Sequence, residues 1–436
     1  MTELARSLTR LNATAMVAGT IIGASIFVQP SEIARHLDTP VSIMAAWIAC
    51  GVLTLFGALV CAELASAFPQ AGGVYVFLRE AFSPLAGFLW GWAMFWSVHS
   101  GIIAAIAVVF GRYASVFLPV SWQGDTAVRA LAVAVIVVLS GVNYVGVRTG
   151  GRVQTLLTIV KIAAIAALVV AGFLLAATVA QPVALNTIPD GLTPFVLAMV
   201  AGLFAYGGWH MVTYTAAETT MPARTIPAAL VAGVAIVTVS YVLMNLVYLR
   251  VLPLDEVRAS TRIAADAADV IFGRGGASLL SILVVLSTVG SLTGIILTGP
   301  RMYYAMARDG LAPRAVAHVH PTYRTPGVAI VAQAAVACVL AGTGAYRQLF
   351  TRVVYTEWLF FALMAAGLFV LRRQPDYQPP YRTWGYPVVP VVFIAASLGI
   401  VAHQLLADPR EALIGLGLVA LGVPAYYLMH ANRRLS

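Results

Sequence analysis

Apolar runs long enough to cross a bilayer recur along almost the whole of this 436-residue chain and leave little room for any other kind of fold. A spanning helix needs about 20 residues. The runs fall at 12–37, 41–66, 82–113, 126–145, 153–178, 192–217, 225–252, 276–307, 326–344, 353–371, 386–406 and 411–430. They predict about twelve spans packed into one all-helical bundle. Only 10% of the residues are charged, against about 25% in soluble domains, and the mean hydropathy is +0.90. The first run is long and is not followed by a small-residue cleavage site, so it reads as an uncleaved first helix.

Arginine placement sets the expected orientation. With the N-terminus in the cytoplasm, the inner connections receive most of the arginines, from Arg6 and Arg10 to Arg433 and Arg434. The main outer group, Arg250, Arg258, Arg262 and Arg274, is interleaved with Asp255, Glu256, Asp266 and Asp269. Both termini are therefore expected inside, in a plasma membrane of bacterial inner-membrane type. The net charge of +9 then follows from topology and gives no support to nucleic-acid binding. Cys50, Cys61 and Cys338 all fall within runs, so no disulfide-linked companion subunit is expected.

Two runs carry residues that weaken a helix at mid-depth. Gly19, Gly23, Ala24 and Ser25 lie in the first, and Ala205, Tyr206, Gly207 and Gly208 in the sixth. Irregular backbone is tolerated in a bilayer only where it lines a cavity or is covered by protein. A separation of five spans is what two five-helix repeats inserted in opposite directions would give, with the two breaks facing each other. Unwound turns expose N–H groups at one helix end and C=O groups at the other, to which the helix dipoles add. That pair of ends suits a molecule with both a carboxylate and an ammonium group. For the first run alone, Gly19 and Gly23 also read as a GxxxG packing pair.

Five stretches, "GTIIGASIFVQPSEIA", "AELASAFPQAGGVYVFLREAFSPLAGFLWGW", "GVRTGGRVQTLLTIVK", "GLFAYGGWHMVTYTAAETTMPARTIPAAL" and "GPRMYYAMARDGLAP", resemble in order and spacing the amino acid–polyamine–organocation transporters, most of all the L-type branch and its bacterial relatives. The resemblance covers roughly residues 10–320. It implies the LeuT-type fold, with a first repeat over about 10–180, a second over about 190–375 and two additional helices over 385–430. It also implies alternating access to a central amino acid site. In such relatives backbone amides of the first break hold the carboxylate, here near Ala24, Ser25 and Ile26. Carbonyls near Ile21 and Phe204 meet the amino group, with Gly207 close by. Two positions depart from the pattern: Ser25 stands where glycine is usual, and His210 where L-type members often have asparagine.

Lys161, the only lysine, falls within the fifth run, where an uncompensated charge costs several kcal/mol. A fixed cation there could replace a bound sodium ion, holding the first helix through a carbonyl near Gly19 to Ile22 and hydroxyls such as Ser287 or Ser291. Family members with a lysine at the corresponding position look sodium-independent. Lys161 could also exchange a proton during the cycle, or simply snorkel to the cytoplasmic face. Glu63 and Glu218 lie toward cytoplasmic ends, where Arg79 and Arg224 are candidate partners. His99 and His210 read either as packing residues or as proton-relay groups. Trp209 reads either as packing or as a cation–π partner for a substrate ammonium.

Neither break has an acidic side chain or an arginine that can be placed beside it, so a neutral zwitterion is the expected substrate class. The Ala24 and Ser25 wall favours small or medium amino acids. The leading expectation is a sodium-independent secondary transporter, working as an exchanger or a proton-coupled symporter. A carrier of cationic amino acids or polyamines is the alternative within the family, and a passive channel the alternative outside it. No cofactor or metal is expected: "GRGGAS" at Gly273 to Ser278 lacks the P-loop Lys-Ser/Thr, and His318 and His320 have no nearby ligand partners. Nothing supports an enzyme.

Overall fold

The computed structural model describes residues 4, 6–23, 25–175, 191–273, 275–343 and 346–431. Among the described residues ten helices are long and apolar enough to span a membrane, and two shorter apolar helices, Gly327–Thr343 and Tyr355–Leu371, stand at the ninth and tenth expected positions. Among the described residues the remaining elements are short helices and turns, with one isolated bridge between Leu8 and Thr219.

The first span is Arg10–Ile21, then an interruption, a single 3-10 turn over Ser25–Phe27, and a short helix Gln29–Ala34. Its α-helical ladder ends where the Ile22 N–H donates to Ala18 O at 2.8 Å. The sixth span runs as an α-helix over Leu192–Ala205, turns through Tyr206–Gly208, and continues as a 3-10 helix over Trp209–Glu218. Gly208 takes a φ of +96°, which glycine adopts without the Cβ penalty other residues meet. The first half of each broken span packs against the second half of the other, so the two run antiparallel side by side.

Around this pair stand the second span (Pro40–Ala67), the fifth (Val147–Leu174), the seventh (Pro222–Val251) and the eighth (Gly276–Arg308), all in contact with one or both broken spans. The third span, Pro84–Ser115, is interrupted by a π turn over Met94–Val98. The fourth span (Asp125–Val145) and the ninth pack against each other outside the third, while the eleventh (Val388–Ala407) pairs with the tenth (Tyr346–Leu371). The twelfth span consists of the helices Pro409–Ala420 and Gly422–Ala431.

Candidate functional site

Glycine content decides how closely the broken spans approach. Gly19, expected in the first break, is still helical, and a Cβ there would overlap Thr158 and Gln154 of the fifth span. It is therefore a close-packing position whose carbonyl is presented to its neighbour, and the break proper begins at Ile22 and Gly23. Ala24 lies outside the described residues. Gly208 sits against the end of the first half-helix, 3.4 Å from Thr20 O when a Cβ is built, and Thr20 Oγ1 donates to Gly208 O at 3.2 Å. The two breaks thus meet.

The fifth span holds the first half-helix along one face. Thr155, Thr158 and Lys161 are spaced three apart, which places them on the same side of a helix. Asn12 Nδ2 donates to Thr155 Oγ1 at 2.9 Å, and Thr158 Oγ1 donates to Ala15 O at 3.1 Å. Lys161 Nζ donates to Gly19 O (3.1 Å), Ile22 O (2.6 Å), Ser287 O (3.0 Å) and Ser291 Oγ (3.2 Å). Ser291 Oγ lies 3.0 Å from Gly19 O and 2.9 Å from Ile22 O. Ser287 Oγ is 3.4 Å from both Ile22 O and Gly23 O. The fifth helix starts at Val147, six residues before the expected run, so Lys161 lies about 20 Å along it at about 1.5 Å per residue. Its side chain is fully buried, and the amine ends on carbonyls rather than at a membrane surface.

On the other side of the breaks, the seventh span supplies a group that sequence reading misses. Tyr241 Oη lies 3.0 Å from Ile21 O and 3.1 Å from Ala205 O, the last carbonyls of the two half-helices. One phenolic hydrogen is thereby shared between two C=O groups that helix ends leave without partners. Trp47 and Tyr206 pack edge-on against the Tyr241 ring, at centroid distances of 5.5 and 5.1 Å. Replacing Tyr241 with Phe is expected to lower stability by about 1–3 kcal/mol, the cost of stranding a buried acceptor. A thermal-unfolding midpoint in detergent that equals the wild type would contradict this.

Ser25, Phe204 and Gly207 are partly exposed, whereas Ile21, Ile26, Trp209 and His210 are buried. Among the described residues, a Cβ built at Gly207 meets only its own turn, Phe204 O at 3.2 Å, so space adjoins this glycine. The Phe204 carbonyl also accepts the Gly207 N–H at 3.1 Å. Trp209 and His210 turn toward other spans. Trp209 packs on Phe361 and Phe393 of the tenth and eleventh, and His210 on Trp90, Tyr214 and Phe361.

The two breaks, their meeting point and the single lysine that ties the first of them to the eighth span are the geometry of a carrier, and comparison with known proteins agrees. The family model described as "Amino acid permease" matches residues 8–411. The chain belongs to the amino acid permease family. The human cystine/glutamate transporter is 31% identical to it over 98% of this chain and 85% of its own length. The serine/threonine exchanger SteT of Bacillus subtilis (strain 168) is 31% identical over 97% of this chain and 96% of its own length. The large neutral amino acids transporter small subunit 2 of Rattus norvegicus is 30% identical over 96% of this chain and 79% of its own. This permease is a multi-pass, all-helical membrane protein of the LeuT-type fold.

Ion pairs secure both ends of the permease, with partners other than those expected. Glu218, at the end of the sixth span, accepts from Arg301 of the eighth at 2.9 and 3.2 Å, both side chains being buried. Arg224 is not its partner. Glu63 pairs with Arg372 at 2.6 Å and accepts the Thr383 N–H at 2.7 Å, tying the second span to the connection before the eleventh. Arg79 instead bonds Asp309 and Glu80. Tyr75, in the short helix Val74–Ala81, donates to Asp309 Oδ2 at 2.5 Å, and burial together with that carboxylate holds its phenol well above the ordinary range. Along the same face, the Ser7 and Leu8 N–H groups donate to Glu218 O and the Thr220 N–H to Leu8 O, all at 2.9 Å.

Beside these contacts lies a cavity of about 390 Å³ lined by Arg6, Gln70, Arg79, Tyr304, Arg308 and Asp309. At the opposite face Arg258, in the short helix Leu254–Ala259, donates to Ala34 O and Leu37 O at 2.9 Å and pairs with Asp38 at 2.6 Å. His320, the second histidine of the HxH pair, accepts the N–H groups of Thr322 and Tyr323 through Nδ1, which is the work of a turn.

Proposed function

We propose that this permease carries neutral amino acids across the membrane by alternating access, as a sodium-independent secondary transporter. The observation that carries the reading is Lys161, a buried cation bonded to the carbonyls of Gly19 and Ile22 and to Ser287 and Ser291. A hard metal cation at that position would need the same oxygens. The lysine supplies the charge covalently, so transport needs no sodium. The helical segment after the first break offers its leading N–H groups, those of Ser25 and Ile26, to the substrate carboxylate. The carbonyls of Ile21 and Phe204, beside Gly207, take the ammonium. Lys161, Ser287 and Ser291 hold the break in shape. Trp209 and His210 follow the second break and stand behind it, packed on neighbouring spans.

Among the described residues no arginine or acidic side chain bonds to Ile22–Gly23 or Tyr206–Gly208, which favours a substrate without a charged side chain. Serine/threonine and large neutral amino acid carriers among the relatives point the same way. Residues of about 10–180 and 190–375 form the inverted repeats, and those of about 385–430 the additional pair. The N-terminal face is cytoplasmic, in a bacterial inner membrane, and the permease works without a disulfide-linked partner.

Counterflow in proteoliposomes separates a carrier from a channel. Vesicles preloaded with an unlabelled neutral amino acid are expected to take up the labelled one at the same rate with and without sodium. Uptake that ignores preloading would identify a channel. Preference for arginine or a polyamine would identify the cationic alternative.

A further inference from the structure

The second half of the sixth span carries a polar cluster that amino acid binding does not use. Glu357 of the tenth span and His210 are both buried, with Glu357 Oε1 at 3.6 Å from His210 Nε2. From His210 the cluster continues to the Tyr214 ring (5.5 Å), from there to the His99 ring of the third span (5.7 Å), and through His99 Nδ1 to Tyr303 Oη of the eighth (3.5 Å). Around this line stand Cys61 of the second span, near Tyr214, and Trp90 of the third, near both Tyr214 and His210. Gln333 of the ninth span lies beside Gly299, where an added Cβ would overlap both Gln333 Oε1 and His99 Nδ1.

Packing alone does not account for these groups. Among the described residues Glu357 Oε1, both ring nitrogens of His210 and His99 Nε2 have no hydrogen-bond partner, although all are buried. Native structures leave few such atoms, and each costs about 1–3 kcal/mol. Ionisable groups inside a membrane protein mark ion or proton paths by default. Nor does a described arginine or lysine pair with Glu357, whereas the buried Glu63 and Glu218 each hold an arginine. The π turn Met94–Val98 ends immediately before His99, and such turns concentrate at functional sites.

We propose that Glu357 and His210 form the binding site of a coupling proton, which moves with the amino acid in the transport cycle. The inference rests on the transport reading above and adds its driving ion. One proton on the pair gives either a neutral acid beside a neutral imidazole or a carboxylate beside an imidazolium, and both are free of net charge. Loss of that proton to water leaves an uncompensated buried carboxylate, which is costly in low dielectric. His210 lies two residues beyond Gly208, so the proton-free form strains the half-helix that follows the second break. The proton enters from water on one side and returns to water on the other, and no other bond changes.

The test uses the full chain in proteoliposomes, with neutral amino acid counterflow and pH-gradient-driven accumulation read on one preparation. One proton per substrate across a gradient of one pH unit supports accumulation up to about tenfold. Wild type is expected to approach that value and to acidify the lumen. Glu357→Gln should keep counterflow, because exchange of loaded carriers releases no proton, and should accumulate about onefold. Wild-type counterflow with no response to the gradient would overturn the proposal, as would a gradient response preserved in Glu357→Gln. Absence of wild-type counterflow would remove the transport reading and this inference with it. If Glu357→Gln loses counterflow, an infrared titration of the wild type decides: a buried carboxylic-acid C=O band or an imidazolium ring band that vanishes on raising pH supports the site, and the absence of both at every pH overturns it.

Discussion

Lys161→Ala is expected to reduce counterflow at least about a hundredfold. The substitution removes the cationic donor from three carbonyls, Gly19 O, Ile22 O and Ser287 O. Each buried acceptor left without a partner costs about 1–3 kcal/mol. Ser291 Oγ stays within reach of Gly19 O and Ile22 O, yet one hydroxyl hydrogen cannot serve both. A net loss of about 3 kcal/mol shifts the population of the formed break by more than about a hundredfold. Stability falls as well, so the rate is compared at equal amounts of monodisperse protein. Full counterflow with an unchanged pH dependence would remove Lys161 from the account. Gly290 belongs to the same construction: a Cβ there would lie 3.0 Å from Lys161 Cε and Nζ, which explains a glycine facing the lysine on the eighth span.

Gly207→Val is expected to weaken substrate binding at least about tenfold while the protein still folds. The glycine has no positive φ, and among the described residues the only atom within 4 Å of an added Cβ is Phe204 O of its own turn. The backbone therefore tolerates the change, and the two added methyls enter the open space beside the break. Overpacking of a filled site costs about 1–3 kcal/mol, which appears here as lost affinity. Thermal shift with added amino acid separates the two effects: the ligand-free midpoint should change little and the ligand-induced rise should disappear. An undiminished rise would show that the substrate does not approach Gly207.

The spans were legible because twelve apolar runs need only length and hydropathy to be found, and the two breaks because glycine clusters interrupt them. The limits of the first break were not. Gly19 reads in sequence as part of it, yet Thr158 and Gln154 hold that turn helical from the neighbouring span. Lys161 carries its own signal, being the only lysine in an apolar run. Tyr241 carries none, since one tyrosine in a long apolar helix looks like any other until two helix ends converge on its hydroxyl. Glu357 was hidden in the same way, by lying near the start of the expected tenth run. The arginine partners of Glu63 and Glu218 come from residues 309 and 83 positions away, separations that no local pattern encodes. The π turn before His99 likewise reflects packing against the eighth and tenth spans, with no breaker residue in "MFWSV" to announce it.

The most direct measurement is an experimental structure of the permease with a neutral amino acid bound. The carboxylate is expected on the N–H groups of Ser25 and Ile26 and the ammonium on the carbonyls of Ile21 and Phe204, with Lys161 still bonded to Gly19 O and Ile22 O. Density for the amino acid elsewhere, or first and sixth spans that continue as unbroken helices around it, would contradict the account.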